Sequence, residues 1–288
     1  MSVMSLTRIG VDEVDTSRPF SGPPAPRTVP IPAVPQRLLR RAAVEERIRT
    51  GARHRLLLVT GPAGHGKTTS TAAALRDCPA LAWVTLDASD RDPIRFQRRI
   101  VEALGSIGGF PVVNVTTVAE LDYALASCSR QLDAMAEEIV LVIDDDGDVL
   151  QSEAAAHRVE RVLDWFPNGF HTVVIARRQP PMGIERRRAR GEVAEVGVSQ
   201  LTFSDDEVAA YLDAVWDLTL DDATVRRVAV VADGWPVVLQ ALATRMATEP
   251  GGFGTDGGST GPGALPRLLF RQLLDSLTMD DRRFMVDI

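Results

Sequence analysis

The chain has 288 residues, 45% hydrophobic and 25% charged, the balance of an ordinary globular protein with room for about two domains. Its formal net charge of −7 excludes the strongly basic footprint of a DNA-reading domain. Two cysteines, Cys78 and Cys128, stand far apart without metal-ligand spacing, which argues against a disulfide framework and fits a reducing compartment.

Residues 1–30 are rich in proline, serine and charge, lack periodicity, and read as a disordered lead-in. Acids stand where a signal peptide would carry its apolar stretch. No apolar run is longer than Ile139–Ile143, far below the ~20 residues of a membrane-spanning helix. The expected location is therefore the cytoplasm. Val34–Ile48 follows with apolar residues at helical spacing, Leu38, Leu39, Ala42 and Val44, and predicts a helix. Arg55–Thr60 (RLLLVT) is a short apolar run ending in a glycine turn, the pattern of a strand buried on both faces.

A helix is predicted from Lys67 to Arg76. Further strands are predicted at Leu81–Leu86, Ile139–Ile143 and Thr172–Ala176, with a weaker one at Val193–Val198. Helical stretches fall between them, roughly at 93–104, 117–135 and 152–165. This alternation predicts an α/β core, residues 31–202, with a parallel sheet covered by helices on both faces. After Phe203 the pattern becomes helical only: 206–216 behind the capping residue Ser204, then 222–232 and 236–248, a helical subdomain over 203–249. Residues 250–264 are rich in glycine, with proline and a serine among them, and read as a flexible linker. The last segment, 265–288, is helical in character but too short to bury a core of its own, so a truncated chain is expected.

Gly61-Pro62-Ala63-Gly64-His65-Gly66-Lys67-Thr68 matches G-x-x-x-x-G-K-[ST] in full, between a predicted strand and a predicted helix. Glycines let successive backbone N–H groups curl around an anion, and the helix N-terminus adds partial positive charge. Lys67 would reach the β- and γ-phosphates of a bound nucleotide, and the Thr68 hydroxyl would bind Mg²⁺. Lys67 is the only lysine among 32 basic residues, which suggests that its site needs a compact ammonium. The candidate phosphate-binding residues are Gly61, Ala63, Gly64, His65, Gly66, Lys67, Thr68 and Thr69, with the His65 side chain read as a loop-surface group.

Ile139–Ile143 runs into Asp144 and Asp145. A carboxylate at such a strand tip holds Mg²⁺, usually through water, opposite the P-loop threonine. Asp144 is assigned that role, and Asp145 is placed to polarise an attacking water. A plain acidic surface turn, continued by Asp146 and Asp148, is the alternative. The arginine run 186–190 has no interleaved aromatic residues and reads as a solvated helix face rather than a nucleic-acid patch.

Four segments in order carry a wider resemblance: GPAGHGKTT, LAWVTLDASDRDPIRF (81–96), IVLVIDD (139–145) and VVIARRQPPMGIERRRARGEVAEVGVSQLTFSDDEV (173–208). Together they resemble the large ATP-binding, MalT-like LuxR-type transcriptional regulators, members of the STAND class of signalling ATPases related to AAA+ proteins. The resemblance spans about residues 30–288.

The resemblance implies an ATP/ADP switch with Mg²⁺ and slow hydrolysis. It assigns Arg177 to the γ-phosphate, Pro236 of Gly234-Trp235-Pro236 to the base, and Val34, Pro35 and Leu38 to the adenine flank. Gly234 and Pro236 also fit a helix end followed by a helix start. Residues 265–288 would begin a winged-helix domain. Sensor and DNA-binding domains would belong to the intact regulator, with no direct DNA binding by this chain and with nucleotide-dependent self-association. The sequence departs from the family pattern where an aromatic residue and a histidine usually follow the two acids; Asp146 and Gly147 stand there. A rapid AAA+-type ATPase and a degenerate regulator fragment are the alternatives to the switch.

Overall fold

The computed structural model describes residues 31–107, 120, 123, 126–130 and 138–248. The lead-in at 1–30, most of the predicted helix at 117–135, the linker and the C-terminal segment lie outside the described residues.

Five strands form one parallel sheet: β1 (Leu56–Thr60), β2 (Leu81–Leu86), β3 (Ile139–Asp145), β4 (Phe170–Ala176) and β5 (Val193–Val196). Their order across the sheet is β2-β3-β4-β1-β5. The near-continuous apolar runs follow from burial on both faces, since alternate residues of one strand enter opposite cores. Leu56 and Leu58 pack with Phe96, Ile100 and Leu104 of α3 (Pro93–Gly105) and with Val159 and Leu163 of α4 (Glu153–Trp165). Leu57 and Val59 pack on the other face with Val44 and Ile48 of α1 (Ala42–Gly51) and with Ala72 and Leu75 of α2 (Lys67–Leu75). Arg55 secures the far end of the sheet. Its guanidinium donates to the carbonyls of Leu163, Phe166, Pro167 and Phe170, closing the end of α4.

Helices α5 (Ile184–Ala189) and α6 (Val198–Leu201) flank β5. The arginines on and after α5 are locally matched: Arg187 pairs with Asp164 and Glu192, and Arg188 with Glu185 and Glu195. Beyond them lies a separate helical core built from α7 (Asp205–Ala210), a π-helical continuation Tyr211–Val215, α8 (Asp222–Ala232) and α9 (Pro236–Thr248). Val208, Leu212, Val228, Leu239 and Leu242 are buried at its centre. Among the described residues, no helix is long and apolar enough to cross a membrane.

The predicted helix at 34–48 requires correction. Helix α1 begins only at Ala42, and residues 31–41 are irregular. Three prolines, at 30, 32 and 35, disfavour helix before Leu38. Tertiary ties then override the helical spacing of 38–41. Leu39 packs on the helical core, Arg37 lies 4.4 Å above the Trp216 ring, and Arg41 is wholly engaged elsewhere. The Arg41 guanidinium donates to Glu207 through Nε and Nη2, both at 2.8 Å, and to the carbonyls of Gln200, Leu201 and Thr202. It also stacks over Phe203. The predicted helix at 206–216 is likewise divided, with Tyr211–Val215 wound as a π turn.

Candidate functional site

The order of the strands assembles the site. β4 lies between β1 and β3, so the end of β4 stands between the P-loop and the acidic end of β3. Ligand sites of open α/β sheets form at these carboxyl ends. A cleft of about 430 Å³ opens there, walled by the P-loop, Asp144, Asp145, Asp146 and Arg177, and roofed by the helical subdomain.

The loop after β1 bends through two left-handed glycines, Gly64 (φ 72°) and Gly66 (φ 74°). Gly66 is the N-cap of α2, and no side chain caps that helix, so its first-turn N–H groups are available to an anion. The Lys67 ammonium donates to the Pro62 carbonyl at 2.9 Å, folding back over the loop. Burial pushes its pKa down to about 8, with the nearby Arg177 acting in the same direction and Asp144 opposing. Two cations, Lys67 and Arg177, therefore face one space, as a polyanion site requires.

The Thr68 hydroxyl donates to Asp144 Oδ2 at 2.9 Å, tying the start of α2 to the end of β3. Asp144 is buried, and desolvation raises its pKa to about 6 against the favourable bond from Thr68. A buried carboxylate oxygen beside a hydroxyl oxygen is a donor set suited to a hard divalent cation, which the flanking acids Asp145 and Asp146 also favour. Among the described residues, no group of three or more His, Cys, Asp or Glu side chains forms a ready metal cage. A cation here would take the remainder of its oxygens from phosphate and water.

Asp145 carries a structural burden that its sequence position did not reveal. Oδ1 accepts from the Val149 N–H at 2.8 Å and Oδ2 from the Leu150 N–H at 3.0 Å. The carboxylate thus caps the turn that follows β3, although it also borders the cleft. Burial nonetheless raises its pKa, with those two N–H groups opposing. Arg177 stands just past β4, with Nη1 3.4 Å from Asp148 Oδ2.

The helical subdomain touches the P-loop directly. The Trp235 indole N–H donates to the Ala63 carbonyl at 3.1 Å, and the Val237 N–H donates to the Gly64 carbonyl at 3.2 Å. A Cβ on Gly64 would stand 2.5 Å from Val237 Cγ1, so this glycine serves both the turn and the docking. Gly234 (φ 63°) turns the chain between α8 and α9, with no room for a Cβ against the Phe203 carbonyl at 2.4 Å. Pro236 begins α9 and also lines the cleft.

Of the other expected residues, Pro35, Leu38, Ala63, Gly64, His65, Gly66, Lys67, Thr68 and Thr69 line the cleft. Val34 does not; it packs against the Trp83 core. Gly61 also lies off the cleft, where a Cβ would meet Val198 at 3.3 Å. His65 is a partly buried loop residue, its ring 5.5 Å from Trp235 and its Nδ1 3.3 Å from the Ala63 carbonyl, and burial lowers its pKa. Sequence reasoning missed Arg37, Tyr211, Trp216 and Gln240, which also line the cleft. Their only local signal was an aromatic pair flanking one helical segment.

The five-stranded parallel sheet with flanking helices and the P-loop have the α/β fold of P-loop NTPases, a fold that implies nucleotide binding. The module is related to the MalT regulators. HTH-type transcriptional regulator MalT of Yersinia enterocolitica is 30% identical over 198 residues, covering 67% of this chain and 22% of that protein. Serine/threonine-protein kinase PknK of Mycobacterium tuberculosis is 29% identical over 281 residues, covering 92% of this chain and 25% of that protein. The chain thus spans about a quarter of the length of the curated relatives it matches. Among solved structures, a STAND protein with a tetratricopeptide repeat sensor from Pyrococcus horikoshii superposes with a TM-score of 0.57 at 15% identity, covering 85% of this chain and 33% of that one. A Walker-type ATPase of Pyrococcus abyssi gives 0.52 at 11% identity, covering 83% and 73%. No protein-family profile matches the chain.

Proposed function

We propose that this chain is an ATP/ADP switch module with slow hydrolysis, serving a larger signalling protein. The observation that carries the reading is the direct seating of the helical subdomain on the P-loop through Trp235 and Val237. A nucleotide bound there touches both units, so its phosphate count can bias their arrangement. A ligand shifts such an equilibrium only by its differential affinity for the two states.

In this reading Lys67 and the α2 N-terminus hold the β- and γ-phosphates, and Thr68 and Asp144 hold Mg²⁺. Arg177 meets the γ-phosphate. Pro35, Leu38 and Pro236 flank adenine. Bound Mg²⁺ would neutralise phosphate charge; the chain's own residues orient the nucleotide and exclude water. Asp145 acts chiefly as a positioning residue, because each of its oxygens already accepts a backbone N–H. That engagement supports slow hydrolysis over the rapid turnover of a dedicated AAA+-type ATPase. By analogy with an HTH-type regulator, sensor and DNA-binding domains would read the switch.

The test is limited proteolysis and steady-state turnover with ATP–Mg²⁺ and ADP–Mg²⁺. Distinct cleavage patterns for the two nucleotides, with turnover below the roughly 1–10³ s⁻¹ of typical enzymes, support the switch. Identical patterns with rapid turnover would refute it.

A further inference from the structure

The loop Asp146-Gly147-Asp148 is wedged against the exit of β2. A Cβ on Gly147 would stand 2.6 Å from the Ala88 nitrogen and 2.7 Å from the Asp87 carbonyl carbon. The Asp146 N–H donates to the Leu86 carbonyl at 3.2 Å, and Arg91 donates to the Gly147 carbonyl at 3.3 Å. Asp148 then adopts a left-handed backbone, φ 50° and ψ 34°, a region that glycine enters freely and that, among other residues, Asn and Asp enter most often. It occupies the N-cap position of the turn Val149–Gln151 yet makes no capping bond, because Asp145 has taken those N–H groups. Its carboxylate is turned instead to the end of β4. Oδ2 lies 3.4 Å from Arg177 Nη1, and Oδ1 is buried with no hydrogen-bond partner. A strained backbone that presents an underused carboxylate to a site cation calls for a functional account.

We propose that Asp148 is an internal competitor for Arg177, holding its guanidinium in place of a terminal phosphate and thereby setting the preference between nucleoside tri- and diphosphates. The proposal rests on the reading of Arg177 as the γ-phosphate ligand. The 3.4 Å contact is looser than the 2.7–2.9 Å of a strong charge-assisted bond, which suits exchange. A triphosphate must draw Arg177 from Asp148, whereas a diphosphate leaves the pair intact. The pair therefore subtracts from ATP affinity alone. Arg177 lines the same cleft as Lys67 and the rest of the P-loop, which puts its guanidinium on the phosphate side of the site.

The test is equilibrium titration of the full chain with ATP–Mg²⁺ and ADP–Mg²⁺, using wild type, Asp148→Asn, Arg177→Ala and the double variant. Asparagine tolerates the left-handed backbone and removes the charge. ATP should bind Asp148→Asn about three- to fivefold more tightly, as the loss of a partly exposed ion pair implies, while ADP stays within about twofold. The gain should vanish in the Arg177→Ala background. Unchanged ATP affinity, an equal change for both nucleotides, or a gain that persists without Arg177 would each overturn the proposal. Should Asp148→Asn fail to fold, Asp148→Gly suits the same backbone and is read by the same criteria. A wild-type chain that binds neither nucleotide would overturn the nucleotide-site reading itself, and this inference with it.

Discussion

The indole of Trp235 donates to the carbonyl of Ala63, so the residue that precedes α9 and the phosphate loop share a hydrogen bond across 172 positions of sequence. Gly64 adjoins this bond and accepts from Val237. Gly64→Ala should therefore combine backbone strain at φ 72° with a clash against Val237. The expected outcome is a loss of more than about 1 kcal/mol of stability together with loss of nucleotide-induced stabilisation. Trp235→Phe keeps most of the packing and removes only the bond, with a cost of about 1 kcal/mol. Denaturant unfolding with and without ATP–Mg²⁺ checks both; a Gly64→Ala variant as stable as wild type would contradict the docking geometry.

Arg41 ties residues 200–207 to the start of α1, and its side chain is 8% exposed. Arg41→Ala leaves Glu207 without its cation and three carbonyls without a donor. Removal of one partner from a buried pair costs about 3–5 kcal/mol; the partial exposure of Glu207 places this variant at the lower end. Arg41→Lys should recover little, because an ammonium cannot span the planar fork. Chemical denaturation measures both, and a near-neutral Arg41→Ala would refute the staple.

Asparagine should act differently at Asp144 and Asp145, although burial raises the pKa of both carboxyls, because only Asp145 accepts backbone N–H groups through both oxygens. Asp144 has a folded-state pKa raised from 3.8 to about 6 by burial. A raised carboxylate contributes most to stability below its unfolded pKa and loses that contribution as pH rises through the folded value. Asp144→Asn should thus match wild type in stability near pH 3.5 and exceed it at pH 7.5, by up to roughly 3 kcal/mol for a displacement of this size. It should also lose the Mg²⁺-dependent part of ATP binding. Asp145→Asn instead turns an amide NH₂ towards a backbone N–H, at a cost of about 1–3 kcal/mol. Unfolding curves of both variants at the two pH values check the contrast; destabilisation by Asp144→Asn at pH 7.5 would contradict it.

The sheet was legible because parallel strands buried on both faces appear as apolar runs, as in Leu56–Thr60 and Phe170–Ala176. The phosphate loop was legible because its chemistry is local, a turn with two left-handed glycines feeding a helix. Contacts between distant residues were not legible. Arg41 reaches Glu207 across 166 positions, and that reach unwinds a segment whose own spacing favours helix. His65 carries no local sign of the Trp235 ring that half-buries it. For Asp145, the adjacent acids indicated a charged strand end but not which carboxylate would cap the following turn.

The central claim is that the P-loop binds nucleoside triphosphate through Lys67, and thermal unfolding with saturating ATP–Mg²⁺ tests it most directly. Ligand that binds only the folded state stabilises by about 2.7 kcal/mol at a hundredfold excess over its Kd. Wild type should show a clear rise in Tm, and Lys67→Ala, with the same unliganded fold, should lose most of it. An equal rise in Lys67→Ala, or none in wild type, would contradict the account.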